Sequence, residues 1–235
     1  MRRSTVLAIL MTVAAAAPAR GQDLADFDYE NLSFRGVGFE LGYLWANKVE
    51  SAPTFGIRTD LGYLGPGLRV TPSLTYWTSR MKQSEVTILE DRLASLVARQ
   101  QPPGSPFPVV ELDPIDWSDV ALALDAHAVW RIDLRAVPDE PAVRYDLLTF
   151  AGAGAAVHFM NGDGEAINNT FIEDLLDSVG AGFDVHAGAE YLISSNLRVY
   201  AMGRMELLQD IYYATLRGGV QIQLGDTEAG ERGPR

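Results

Sequence analysis

Three histidines and one serine are the residues of this sequence that best suit acid–base or nucleophilic chemistry. His158 and Ser79 each lie near the end of a predicted strand. A serine hydroxyl beside a histidine base is the arrangement of a nucleophilic catalyst, but no spacing motif joins these two residues. We therefore interpret His158 as a side chain that fills the interior of the fold, and His127 and His186 as members of a polar network.

The segment Asn161-Gly162-Asp163-Gly164-Glu165 places oxygen-bearing side chains on alternate residues, as a calcium-binding loop does. It lacks the full twelve-residue spacing and the closing glutamate of such a loop, so a polar turn is the preferred interpretation. The chain contains no cysteine, which excludes thiolate metal sites, disulfides and a cysteine nucleophile. The sequence predicts no metal site and no cofactor.

Length and charge limit the class of protein. The chain has 235 residues, of which 47% are hydrophobic, and a formal net charge of −12. This length suits one domain with a substantial core. The excess of acidic residues argues against nucleic acid as a partner, because binding to phosphates requires a basic face.

The first 22 residues have the features of a secretory signal peptide. Arg2 and Arg3 are followed by the apolar run 6–16 and by Ala17-Pro18-Ala19, a small-x-small cleavage pattern. We expect cleavage after Ala19 or Gln22. No later stretch contains 18 consecutive apolar residues, so the sequence predicts no transmembrane helix.

The remainder of the chain alternates with a period of two, which indicates β-strands. Eight candidate strands lie at residues 37–45, 55–63, 68–76, 120–134, 143–159, 179–193, 197–207 and 212–224. One face of every strand is apolar and carries no charged residue. The opposite face carries glycines and the following charged residues: Glu40, Arg58, Asp60, Arg69, Asp125, Arg131, Asp184, Glu190, Arg198, Arg204, Glu206 and Arg217.

Two kinds of barrel are compatible with this alternation. A soluble lipocalin-like barrel directs its apolar face inward, whereas an outer-membrane barrel directs it toward lipid. Aromatic residues concentrate at the strand ends, as in the interfacial girdles of membrane barrels. Glycines on the polar face would leave room for long charged side chains inside a narrow barrel. Both features favour the membrane barrel, with the twelve charged residues forming a paired network in the lumen.

Link lengths favour the same interpretation. The third link (82–116) and the fifth (160–178) are long, whereas the links at 64–67, 135–142 and 194–196 are short. Short periplasmic turns and long external loops are the rule for outer-membrane barrels. Both chain ends are then expected in the periplasm.

The pattern of residues 32–224 resembles the eight-stranded outer-membrane β-barrels of Gram-negative bacteria, the OmpA-like and opacity-type barrels. This resemblance implies an all-β fold, an antiparallel transmembrane barrel in the outer membrane with two long external loops. The last strand ends in Gln221-Ile222-Gln223-Leu224 and is followed by a polar tail, 225–235, where such barrels usually end near an aromatic residue. We expect that tail in the periplasm.

Both long links contain helical signals. Val86, Leu89, Leu93, Leu96 and Val97 recur at helical spacing after Ser84, a candidate N-cap. Thr170 and Glu173 form a candidate capping box before a second short helix. The preferred interpretation is that both helices bury their apolar side over the barrel rim; a partner-binding face is the alternative. The links 82–116 and 160–178 are also rich in acids, so they would repel lipopolysaccharide unless divalent cations bridge the two.

Eight strands enclose a lumen that side chains just fill, which argues against a large pore. The preferred function is therefore a non-enzymatic outer-membrane barrel that has a structural role or interacts with partners at the cell surface. Its expected partners are outer-membrane lipid or lipopolysaccharide and a surface partner of the two long loops. The alternatives are a lipid A-modifying enzyme, which some eight-stranded barrels are, and a soluble periplasmic carrier.

Overall fold

The computed structural model describes residue 29 and residues 32–102, 104–112, 114–131, 147–165, 167–168, 170–194, 196–209 and 211–224. The predicted signal peptide, the predicted short link at 135–142 and the predicted tail at 225–235 lie outside the described residues. The side chain of Arg131 does so as well.

The described residues form nine strand segments and two helices. They are β1 (Gly36–Ala46), β2 (Ala52–Asp60), β3 (Tyr63–Gly65), β4 (Leu68–Arg80), α1 (Gln83–Gln100), β5 (Asp116–Arg131), β6 (Leu147–Asp163), α2 (Phe171–Leu176), β7 (Ser178–Ser194), β8 (Leu197–Leu208) and β9 (Tyr212–Gln223). All of the strand pairings are antiparallel.

The sheet closes on itself. Every strand except the successive segments β2 and β3 pairs with its sequence neighbour, β9 pairs with β1, and β2 pairs with β4 to complete the ring. The segments β2 and β3 occupy one position in the wall, because both pair with β4. The barrel therefore has eight strands around its circumference, which confirms the predicted fold class.

The break between β2 and β3 differs from the continuous strand predicted at 55–63. Gly62 has a φ of +79°, a backbone conformation that residues other than glycine rarely adopt. Its amide donates to Asp60 Oδ1 at 2.7 Å. A Cβ at this position would also overlap the Arg35 guanidinium. The regular strand is interrupted here, although Leu61 and Gly62 remain hydrogen-bonded to Val70 of β4.

Side-chain exposure follows the predicted alternation. Outward residues such as Leu41 and Leu124 are 65% and 57% exposed, whereas the inward Glu190 is fully buried. Apolar side chains thus cover the outside of the barrel and charged ones fill its lumen. The soluble carrier alternative is wrong for this structure, since a lipocalin-like barrel has the opposite arrangement.

The aromatic residues predicted at strand ends lie on the outer surface. Trp45 and Tyr212 are exposed near one end of the barrel, and Trp130 and Tyr191 are exposed near the other. Aromatic residues are not confined to the strand ends, because Phe39 and Phe55 are exposed near the middle of β1 and β2.

The two barrel ends differ in their connections. The links β1–β2, β4–β5, β6–β7 and β8–β9 lie at one end, which we call the loop end. The links β3–β4 and β7–β8 lie at the opposite end, which we call the turn end. Among the links that the structure describes, the longest ones and both helices are at the loop end, as the link lengths predict; residues 132–146, between β5 and β6, lie outside the described residues.

Helix α1 begins two residues earlier than predicted. Its N-cap is Lys82 and no side chain caps it. The predicted N-cap, Ser84, lies inside the first turn because Lys82 Nζ is held by the carbonyl oxygens of Ala46 and Asn47 at 2.8 and 3.1 Å. No described helix is long and apolar enough to cross a membrane.

The apolar side of α1 is buried only in part. Val86 and Leu93 are buried, whereas Leu96 and Val97 are 50% and 42% exposed, so the prediction that the whole apolar stripe is covered is wrong at those two residues. In α2, Thr170 is the N-cap, as predicted, and its hydroxyl accepts from the Ile172 amide at 3.2 Å.

Candidate functional site: the charged lumen

The lumen is lined by the inward face of every strand. The structure places these sequence-predicted residues there, all of them buried: Glu40, Arg58, Asp60, Arg69, Asp125, Asp184, Glu190, Arg198, Arg204, Glu206 and Arg217. Arg131 belongs to β5, but its side chain is outside the described residues. Burying so many charges is costly unless each one is paired, so the contacts between them decide how the lumen is built.

The half of the lumen near the turn end is centred on Glu190. Its carboxylate lies 2.7 Å from Arg58, 2.8 Å from Arg69 and 3.4 Å from Arg198. Asp60 adds a second carboxylate at 3.6 Å from Arg69. We call these five residues the Glu190 cluster; it contains three guanidinium groups and two carboxylates.

The half of the lumen near the loop end is centred on Arg204. Its guanidinium lies 2.8 Å from Asp125, 3.0 Å from Asp184 and 3.2 Å from Glu206. These four residues, together with Asp119 and His158, form the Arg204 cluster. It is rich in carboxylates, so charge is distributed unevenly along the barrel axis.

His158 lies between two carboxylates of the Arg204 cluster. Its Nδ1 is 2.8 Å from Asp119 Oδ2, and its Nε2 is 2.9 Å from Glu206 Oε1, although the second contact is poorly angled for a hydrogen bond. Both ring nitrogens of His158 thus face carboxylate oxygens inside the barrel.

The pair Glu40–Arg217 lies between the two clusters. Arg217 Nη1 donates to Glu40 Oε1 at 3.1 Å and to Thr75 Oγ1 at 2.9 Å, and Tyr200 Oη donates to Glu40 Oε2 at 3.2 Å. The Tyr200 ring also stacks on Arg58, whose guanidinium carbon is 3.4 Å from the ring centroid.

Two histidines link the clusters through the centre of the lumen. Arg69 Nε donates to His127 Nε2 at 3.1 Å, and His127 Nδ1 lies 3.4 Å from His186 Nε2. His186 Nδ1 in turn lies 2.7 Å from Asp184 Oδ1. A cavity of about 10 Å³ beside His127 and His186 has room for about one water molecule.

An apolar plug closes the loop end above the Arg204 cluster. It consists of Leu44, Val49, Trp77, Met81, Val86, Leu93, Ile115, Trp117, Ile167, Ile172, Ile211 and Tyr213. These side chains come from inward strand positions, from all four loop-end links and from both helices. The plug thus joins the loops to the barrel and separates the charged lumen from the solvent at this end.

The sequence analysis did not identify the plug or Asp119. Trp77 and Trp117 were a usable signal, because they are large apolar residues on the otherwise polar face of neighbouring strands. Asp119 follows the same parity as Asp125, and its partner, His158, faces it across adjacent strands.

The structure does not bring together the two residues considered for catalysis. His158 is buried below the plug between Asp119 and Glu206. Ser79 Oγ instead donates to the carbonyl oxygen of Glu50 at 2.7 Å. These contacts leave no serine–histidine pair at this position.

The calcium-like segment is divided between a strand and a turn: Asn161, Gly162 and Asp163 are the last residues of β6, and Gly164 and Glu165 follow it. Asn168 Nδ2 donates to Asp163 Oδ1 at 2.9 Å, and the Gly164 amide donates to Asn168 Oδ1 at 3.1 Å. The polar-turn interpretation is therefore wrong for Asn161, Gly162 and Asp163 and holds only for the residues after them.

The closed eight-stranded ring, its apolar outer surface and its charged interior define the class: this chain folds as a transmembrane β-barrel of the outer-membrane type. No known protein family matches the chain, and no curated protein does so.

Among solved structures, the chain is similar to the Neisserial surface protein NspA, with 14% identity, coverage of 81% of this chain and 97% of that one, and a TM-score of 0.49. It is also similar to Ail of Yersinia pestis, with 11% identity, 82% and 99% coverage and a TM-score of 0.46. A third is the N-terminal β-barrel domain of Pseudomonas aeruginosa OprF, with 14% identity, 80% and 97% coverage and a TM-score of 0.38.

Proposed function

We propose that this chain is a bacterial outer-membrane protein that works by presenting its loop end outside the cell and neither conducts solutes nor catalyses a reaction. The observation that carries this proposal is the sealed lumen. Ion-paired side chains fill the barrel, and the apolar plug covers them at the loop end. Such a barrel has an external surface but no open path through it.

The orientation follows from the links. Short connections in the periplasm and long loops outside are the rule for this architecture, so the loop end faces the exterior. The predicted signal peptide at 1–22, the barrel at 32–224 and the periplasmic tail at 225–235 belong to the same proposal. They provide export, the membrane anchor and the inner end of the chain.

The loop end carries two kinds of exposed group that suit surface interactions. Glu111, Asp116, Asp163, Glu165 and Asp177 are exposed acids, which suit contact with lipopolysaccharide through divalent cations. Phe107 and Val109, in the β4–β5 link after α1, are exposed apolar residues and suit a protein partner. We therefore assign partner binding to the links 82–116 and 160–178.

Fractionation and conductance test this proposal together. The full chain is expressed in a Gram-negative host, and we expect it in the outer-membrane fraction. Reconstituted in a planar bilayer, it is expected to give no stepwise conductance, whereas a large porin prepared identically gives open steps. Recovery in the soluble periplasm, or stable open steps from the folded barrel, would contradict it. Mass spectrometry of lipid A with and without the protein tests the enzymatic alternative; a changed acyl pattern would support that alternative.

A further inference from the structure

Two carboxylates and an imidazole of the lumen converge on one point in the Arg204 half. Asp125, Asp184 and His186 are all at least nine-tenths buried. Each offers one ligand atom, and these three atoms lie within 4.8 Å of one another. They come from β5 and β7, which flank β6, so the closed sheet itself holds them together.

The hydrogen bonds of the lumen leave this point incompletely satisfied. Arg204 Nη1 donates to Asp125 Oδ2, whereas Asp125 Oδ1 is buried and has no hydrogen-bond partner. Gly154 of β6 faces the same point. A Cβ there would overlap both Asp125 Oδ1 and Asp184 Oδ2. The two carboxylate oxygens thus lie close to the Gly154 backbone, where any residue with a Cβ would overlap them.

The Arg204 cluster is richer in carboxylates than in arginines. Asp119, Asp125, Asp184 and Glu206 lie around the single guanidinium of Arg204 and the ring of His158. A buried cluster with an excess of acidic groups suits a bound cation.

The donor set selects the kind of cation. Two carboxylate oxygens and one imidazole nitrogen suit Zn²⁺ and the other first-row divalent ions, whereas Ca²⁺ and Mg²⁺ take oxygen ligands. The small cavity beside His186 has room for a water molecule as a fourth ligand. We propose that Asp125, Asp184 and His186 form a metal site inside the barrel that binds a divalent first-row ion such as Zn²⁺.

The test uses Zn²⁺ with the full barrel refolded in detergent. The protein is refolded with Zn²⁺, dialysed against metal-free buffer, and its bound zinc is measured by atomic absorption; the affinity is measured by competition with a chelating dye. We expect about one Zn²⁺ per wild-type barrel. We expect D125N and H186Q to bind at least about ten-fold more weakly. D60N, which removes a buried carboxylate from the Glu190 cluster, is the matched control and is expected to retain the ion.

Folding of each variant is checked by its heat-dependent mobility in gel electrophoresis. If a variant does not fold, X-ray absorption of the zinc-loaded wild type decides the question. Nitrogen and oxygen ligands at about 2.0–2.2 Å, including one imidazole, are expected. Absence of retained zinc in the folded wild type, equal binding by wild type, D125N and H186Q, or a spectrum without imidazole would overturn the proposal.

Discussion

At the residue scale, the lumen depends on a few side chains that each hold several partners. Glu190 forms ion pairs with three arginines, and Arg204 forms ion pairs with three carboxylates. Removing such a centre leaves more than one buried charge without its counter-charge. Because an uncompensated buried charge costs far more than an exposed one, we expect these centres to be much less tolerant than any single charge at the surface.

Glu190→Gln tests this expectation. The substitution keeps the shape of the side chain but removes the negative charge that Arg58, Arg69 and Arg198 share. We expect the free energy of unfolding, measured by urea titration in lipid vesicles, to fall by about 3–5 kcal/mol. Glu111→Gln, in an exposed loop, is the control and should be neutral. Equal effects of the two substitutions would contradict a buried ion-paired lumen.

Leu124→Arg tests the environment of the outer surface. Leu124 is 57% exposed at the middle of β5, and Leu96 of α1 is 50% exposed. If Leu124 faces hydrocarbon, an arginine there should destabilise the barrel by about 2–4 kcal/mol. Leu96→Arg, which faces water, should have little effect. Both stabilities are measured by urea titration in vesicles. Similar results for the two variants would mean that the barrel surface is not in lipid.

At the element scale, the strands were largely predictable and the loop end was not. Alternation sets which residues of a strand share a face, so the outward position of Leu41 and the inward position of Glu190 follow from the sequence. The break at Gly62 depends on a contact with Asp60, and the start of α1 depends on Lys82 reaching the β1–β2 link. Such contacts between distant segments are not encoded in a local pattern.

The ion pairs within the lumen were also only partly predictable from the sequence. Arg217 and Glu40 belong to adjacent strands, so closure of the barrel already brings them close. Arg58 and Glu190 belong to β2 and β7, which are not neighbours in the sheet, and they meet across the interior. Only the cross-section of the folded barrel and the directions of long side chains determine that pair.

Leu93→Asp tests whether the plug holds α1 on the barrel. Leu93 is 7% exposed and belongs to the plug, whereas Leu96, three residues later, is 50% exposed. An aspartate in the plug should release the helix, because a buried charge without a partner is expensive. We expect α1 amides to exchange hydrogen at least about ten-fold faster in L93D than in wild type, while strand amides are unchanged. L96D, with the same new charge, should leave exchange unchanged; equally fast exchange in L96D would show that α1 is not held by the plug.

At the scale of the whole molecule, closure of the sheet determines which residues share a compartment. The ring places every outward side chain in one environment and every inward side chain in another, and it places the links alternately at the two ends. Because the links alternate between the two ends, the barrel has only two possible orientations in the membrane. If one loop-end link is outside the cell, all of the links at that end are outside and every turn-end link is in the periplasm.

The absence of cysteine from the sequence allows that choice to be tested cleanly. Ser105→Cys places one thiol in the exposed β4–β5 link at the loop end, and Asn196→Cys places one in the exposed β7–β8 link at the turn end. A membrane-impermeant maleimide added to intact cells should label S105C and not N196C. After the outer membrane is permeabilised, both should be labelled, which shows that the Asn196 position is reactive when it can be reached. Labelling of N196C but not S105C on intact cells would mean that the barrel is inverted, with its acidic loops and α1 in the periplasm. The external partners proposed for those loops would then be excluded, although the fold would be the same.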